Sequence, residues 1–178
     1  MKIVLIAFGL ALFVLLLIDC FVLPDFLEDK TRRVLRVVVA SSVLAPLLTS
    51  VVKSNSIHAC PWNLQRYGGS APYLRLFETL PAQAAAGHCF PAGHASGALW
   101  LAAFAVFWLP DRPRLAAAAF AVGLMPGIAL GWVQQMRGAH FLTHTLWSIW
   151  LSSLVIAILA RLLYAPAQVA GDVSNTVK

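Results

Sequence analysis

"CFPAGHASGALWLAAFAVFWLP", residues 89–110, decides how the chain is read. An apolar run that resembles a membrane span begins on a histidine set between glycine and alanine, just after a proline. A titrating group at the mouth of such a run is costly unless it has work to do. The run itself is the third of five apolar stretches, roughly 3–24, 34–52, 95–110, 115–133 and 141–164. They approach the ~20 residues that a helix needs to cross a bilayer. The third is the shortest and borrows residues from the PAGHAS turn.

The rest of the composition agrees. Of 178 residues 60% are hydrophobic and 11% charged, and mean hydropathy is +0.80. That excludes an ordinary soluble domain. The net charge of +6 comes without a basic run interleaved with aromatics, so no nucleic acid partner is implied. The expectation is an all-α integral membrane bundle of about five transmembrane helices. It forms a single domain over 1–164, with a long polar segment at 53–90 inside a candidate active-site loop at 53–94, and a disordered polar tail at 165–178. The first stretch carries a lysine and an apolar core but no A-x-A cleavage site. It is read as an uncleaved helix rather than a signal peptide. Nothing in the sequence speaks to oligomeric state.

Charge sets the expected orientation. Lys30, Arg32, Arg33 and Arg36 follow the first stretch, Arg112 and Arg114 lie between the third and fourth, and Arg161 ends the fifth. With five spans these fall on one side, which the positive-inside rule makes cytoplasmic, together with the C-terminus. The expected location is a bacterial inner (cell) membrane, with the opposite face toward the periplasm or exterior. All five histidines, 58, 88, 94, 140 and 144, fall on that outer side with Lys53, Arg66, Arg75 and Arg137. Cations and imidazoles gathered on one face imply an anionic substrate at the lipid–water boundary.

In "QQMRGAHFLTHTLW" (134–147), a continuous helix would put Arg137, His140 and His144 on one face at i, i+3 and i+7. Arginine offers a planar fork for phosphate oxygens. Histidine titrates near neutrality and can attack or shuttle protons. A second histidine one turn on can hold the first ring in one tautomer. Around His94, Pro91 is pre-set for a first helical turn, Gly93 lets backbone come close to a ligand, and helix N-terminal amides bind phosphate. His94 is then placed to protonate a leaving oxygen. Lys53 closes the second stretch and adds a point charge.

These residues resemble the type 2 phosphatidic acid phosphatase (PAP2) family of integral membrane lipid phosphatases. The family pattern is K-x6-R-P, P-S-G-H and S-R-x5-H-x3-D. Here it reads "KSNSIHACP" (53–61), "PAGH" (91–94) and "VQQMRGAHFLTH" (133–144), in order and each at the outer end of a span. The resemblance implies hydrolysis of a phosphomonoester or pyrophosphate on a lipid. Polyprenyl pyrophosphate, phosphatidate, phosphatidylglycerophosphate or a lipid A phosphate would each fit. His140 becomes the nucleophile, forming a phosphohistidine, His94 the general acid, and Lys53 a phosphate ligand. No cofactor and no metal are implied, because Lys, Arg and backbone amides neutralise the charge.

This chain departs from the pattern at several positions. Cys60 stands for the first-motif Arg, Ala92 for Ser, Gln134 for the third-motif Arg and His144 for Asp. Arg137 and Arg66 are candidate replacements for the missing guanidinium groups. A neutral His144 orients His140 but cannot stabilise an imidazolium as a carboxylate does. A second frame keeps Arg137 as the family Arg and makes His144 the nucleophile, with Ser148 at the Asp position. The first frame is preferred.

Cys60 and Cys89 flank the first and second motifs. An oxidising exterior would let them pair; two unlinked residues, or a metal site with His58 or His88, are the other readings. Cys20 is expected as a free, buried thiol. His58 and His88 are read as structural or rim groups, and Arg75 and Glu78 as a salt bridge on a short helix, with a contact from Arg75 to substrate left open. Two rival functions remain: a catalytically weak protein that binds or transfers lipid phosphates, and a His-ligated membrane redox protein.

Overall fold

A computed structural model describes residues 2–24 and 26–164; the tail expected at 165–178 lies outside the described residues. The chain forms helices α1 (Lys2–Phe21), α2 (Asp29–Ser54), α3 (Gly93–Leu99), α4 (Pro113–Met136) and α5 (Leu142–Leu163). A 3₁₀ segment, Trp100–Trp108, continues α3, and two 3₁₀ turns, Pro61–Asn63 and Gln65–Tyr67, sit in the long connection before it. No strand occurs among the described residues. Four helices (α1, α2, α4 and α5) are long and apolar enough to cross a membrane. The protein is an all-α, multi-pass membrane bundle.

The third stretch differs from the regular span expected of it. Gly93–Trp108 is too short for a standard transmembrane α-helix. Its second half is 3₁₀, which rises ~2.0 Å per residue against ~1.5 Å. The sixteen residues from 93 to 108 therefore reach about 28 Å, close to the ~30 Å hydrocarbon thickness. Stretching the helix compensates for its shortness.

Small residues let the bundle close around this segment. In lipid the hydrophobic effect does little between helices, so close van der Waals approach carries the packing. Gly123, Gly127 and Gly131 stand one turn apart on α4. A Cβ on Gly123 would lie 2.6 Å from the Ala102 Cα, one on Gly127 2.4 Å from the Leu99 side chain, and one on Gly131 2.6 Å from Thr145. Ala95 and Ala98 of α3, and Ala92 just before it, are fully buried. The core cluster joins Val34, Val37 and Val38 of α2 to Trp100, Val106 and Ile156.

The end of the bundle away from the histidines is tied by polar contacts. Asp19, buried at 2% exposure, accepts from Arg32 Nε at 2.5 Å and from the Leu27 amide at 2.7 Å. That locks the α1–α2 turn and explains the acid beside Cys20. Lys30 pairs with Asp111 at 2.8 Å, and the Tyr164 hydroxyl donates to the Leu109 carbonyl. Cys20 itself is free but exposed, not buried, because α1 buries few of its side chains.

The glycines make opposite demands. Gly123→Val meets backbone that cannot move aside, so it should destabilise the protein by about 1–3 kcal/mol. Gly97→Ala, whose Cβ would find nothing within 4 Å, should leave the melting temperature unchanged or raised. Thermal unfolding in detergent of the two variants checks this.

Candidate active site

Three chain segments meet at the other end of the bundle. Lys53 ends α2, Gly93 and His94 open α3, and residues 137–141 link α4 to α5. The one-helix expectation for 134–147 fails here. Gly138 takes φ +69°, a left-handed conformation that ends helices. Its amide bonds the Gln135 carbonyl at 2.9 Å and the Ala139 amide bonds that of Gln134 at 2.9 Å. Helix resumes at Leu142, so Arg137, His140 and His144 do not share one helix face. His140 lies in the link, and only His144 is on α5.

The link nonetheless brings the two rings together. His140 Nδ1 lies 3.3 Å from His144 Nδ1, and both residues are buried at 5% exposure. Only one of the facing nitrogens can carry the proton, so the pair fixes tautomers in a complementary way. The His94 ring is 6.4 Å from that of His140, centroid to centroid. A Cβ built on Gly93 would lie 3.9 Å from Lys53 Nζ, which puts the ammonium beside the start of α3. Burial first, then the positive charge of Lys53, pushes the His140 pKa down from 6.5 to about 4. His140 is therefore neutral at neutral pH.

Backbone contacts hold this arrangement. The Ala92 amide donates to the His144 carbonyl at 3.2 Å. The Ser148 hydroxyl lies 3.0 Å from both the Ala92 and His144 carbonyls. Phe90 stands edge-on to His144, centroids 5.3 Å apart, and to Trp147 at 5.7 Å. Ser148 entered the sequence reading only in the second frame, and Phe90 not at all. Ser148 is one turn beyond His144, and that spacing was the available signal.

Cys60 and Cys89 form a disulfide. It joins the connection at Cys60 to the chain just before α3. The Cys89 sulfur sits 3.1 Å from the Ala139 carbonyl oxygen and 3.6 Å from His140 Nδ1. The Trp62 amide donates to the Gly138 carbonyl at 3.0 Å, so the connection also grips the α4–α5 link. Cys89, His140 and His144 bring donor atoms within 4.8 Å of one another. The cysteine sulfur is spent in the disulfide, and the two imidazoles bond each other, so the donor set is poor for a metal.

Arg66, Arg75 and Arg137 are all exposed, whereas His140 and His144 are buried. Arg66 is exposed, its guanidinium 5.9 Å from the Tyr73 ring centre. Arg137 is exposed at the end of α4. Arg75 pairs with Glu78 at 3.8 Å on an exposed turn rather than a short helix. His58 contacts Phe90 and Ser56, and His88 is exposed on the rim. Two cavities flank the site. One of about 380 Å³ is lined by His144, Phe90, Tyr73, Arg75 and His58; another of about 260 Å³ has Gly93 and His94 at its head.

An imidazole pair, a third histidine and a lysine gather at one end of a helical membrane bundle. Residues 34–167 match the PAP2 superfamily, and the chain belongs to it. Members of that superfamily are generally phosphatases. Neither the curated proteins nor the solved structures hold a significant match to the chain.

Two measurements follow from this geometry. His140 should titrate near 4 by NMR in detergent, and Lys53→Met should raise that value. The folded state binds this proton more weakly than the unfolded chain. The stability it contributes is therefore present above 6.5 and is lost as pH falls through about 4. Separately, Cys60→Ser should lower stability. The closed loop spans a separation of 29 residues, worth about 3–4 kcal/mol by chain entropy, and a fall in melting temperature reads it out.

Proposed function

We propose that the protein is a membrane lipid phosphatase that works through a phosphohistidine, with its site on the outer face of a bacterial cell membrane and its C-terminus in the cytoplasm. The observation that carries the reading is the buried His140–His144 pair beside His94 and Lys53. His140 attacks phosphorus with Nε2, the ring nitrogen not engaged by His144. This requires the tautomer in which His140 Nδ1–H donates to His144. The P–O bond to the lipid breaks, and His94 gives the departing oxygen its proton. Water then attacks the phosphohistidine, His94 takes back a proton, and phosphate leaves. Lys53 offsets phosphoryl charge in the transition state. Arg137 and Arg66 are the remaining phosphate ligands, reaching the site when substrate is bound.

His144 is a positioning residue in this scheme. A second frame, with His144 as nucleophile, has one observation in its favour: His144 borders the larger cavity with Arg75. One set of variants separates the two.

Purified protein in detergent should release phosphate from a lipid phosphate or pyrophosphate in the presence of EDTA. His140→Ala should lose on the order of 10³-fold or more in kcat. His144→Asp, which restores the family carboxylate, should keep or raise turnover; as the nucleophile's replacement it would abolish it. Release that survives His140→Ala but not His144→Ala moves the nucleophile to His144. No release from any lipid overturns the hydrolase and leaves a lipid-phosphate binding or transfer protein. A visible absorption band would instead indicate the redox protein.

A further inference from the structure

The smaller cavity is a groove that leads from the site along α1. Gly93 and His94 stand at its head, and Gly9, Ser42, Gly97 and Trp100 are among the residues along it. Its width comes from absent side chains. A Cβ on Gly97 would meet nothing within 4 Å, and one on Gly9 only Ser42, at 3.6 Å. Its polar groups are already engaged: the Ser42 hydroxyl donates to the Val39 carbonyl at 2.8 Å, and Trp100 Nε1 to the Gly97 carbonyl at 3.1 Å. Beyond His94 itself, what faces the groove is mainly hydrocarbon and aromatic surface. From His94 to Trp100 it descends about 9 Å at helical rise, away from the polar end and into the depth of the bundle.

One wall is supplied from outside the family core. α1 precedes the matched residues 34–167, and few of its side chains are buried. Phe8 stacks on Trp100 and Phe104 at 5.9 and 6.2 Å, which presses the Gly9 side of α1 onto the groove.

We propose that this groove binds the hydrocarbon chain of the lipid that carries the phosphate, so that α1 selects among lipid substrates by chain. The assignment rests on the lipid phosphatase reading, in which His94 protonates the oxygen of the departing lipid. The chain attached to that oxygen must leave the site on the His94 side, where the apolar groove begins. The larger cavity has mostly apolar and aromatic walls that also carry Arg75 and His58, but it borders His144 and not His94.

Two experiments test the groove, one of them independent of hydrolysis. In a Cys20→Ser background, Gly97→Cys is labelled with a maleimide. A long-chain lipid phosphate should slow labelling about fivefold or more, and inorganic phosphate should not. Labelling that no chain-bearing lipid slows overturns the proposal. In turnover, Gly97→Leu fills the groove. It should raise KM for the long-chain substrate about tenfold while a short-chain, water-soluble ester of the same headgroup stays within about twofold. Equal loss on both substrates, or loss on neither, also overturns it. If the wild type hydrolyses nothing, the phosphatase reading falls and the labelling result alone decides the groove.

Discussion

The Ser148 side chain sits where α3 begins and α5 has made its first turns. Its hydroxyl is 3.0 Å from two carbonyls, those of Ala92 and His144, and the Ala92 amide returns a bond to His144. These contacts fix the start of α3 to α5. His94 is two residues from Ala92, and His140 bonds the His144 ring. The spacing of all three imidazoles is therefore set by backbone held through one buried serine. The phosphoryl transfer proposed above would use this kind of rigidity, since most of its catalysis is positioning and electrostatics.

A second layer supports the first. The disulfide ties Cys60 to the chain before α3, and the Trp62–Gly138 bond holds the long connection against the α4–α5 link that carries His140. Burial is what keeps this ring neutral, and Lys53 adds to the effect. The same lysine that would hold the phosphate in the proposed reaction therefore also favours the neutral form of the neighbouring His140. A site with fewer cations would bind phosphate less well and also leave its histidine more easily charged.

Much of this was legible in the sequence. The five stretches were set by runs of apolar residues, which the bilayer requires because every backbone polar group must be satisfied internally. The segregation of histidines was visible once the spans were counted, and the three motifs each fell at the outer end of a span. The helix break at Gly138 was signalled by a glycine after Arg137, but the i, i+3, i+7 pattern favoured a continuous helix and masked it. The proximity of His140 and His144 survives for a different reason than periodicity gave. The positions of Arg66 and Arg137 were not legible, because exposed side chains in connecting segments follow backbone turns that no periodic signal encodes. Cys20 was read as buried because apolar thiols usually are; that fails on a helix with so little protein around it.

The 3₁₀ run from Trp100 to Trp108 has its own arithmetic. Three residues complete a turn, so side chains at i and i+3 eclipse. Trp100, Ala103 and Val106, all at 3% exposure or less, form one inward row. Leu101, Phe104 and Phe107 form another, which becomes more exposed toward its end. Tolerance to substitution along this run should therefore repeat every third residue, not every 3.6. A conventional helical wheel would rotate ~20° per residue too little and, within one turn and a half, would assign core positions to lipid.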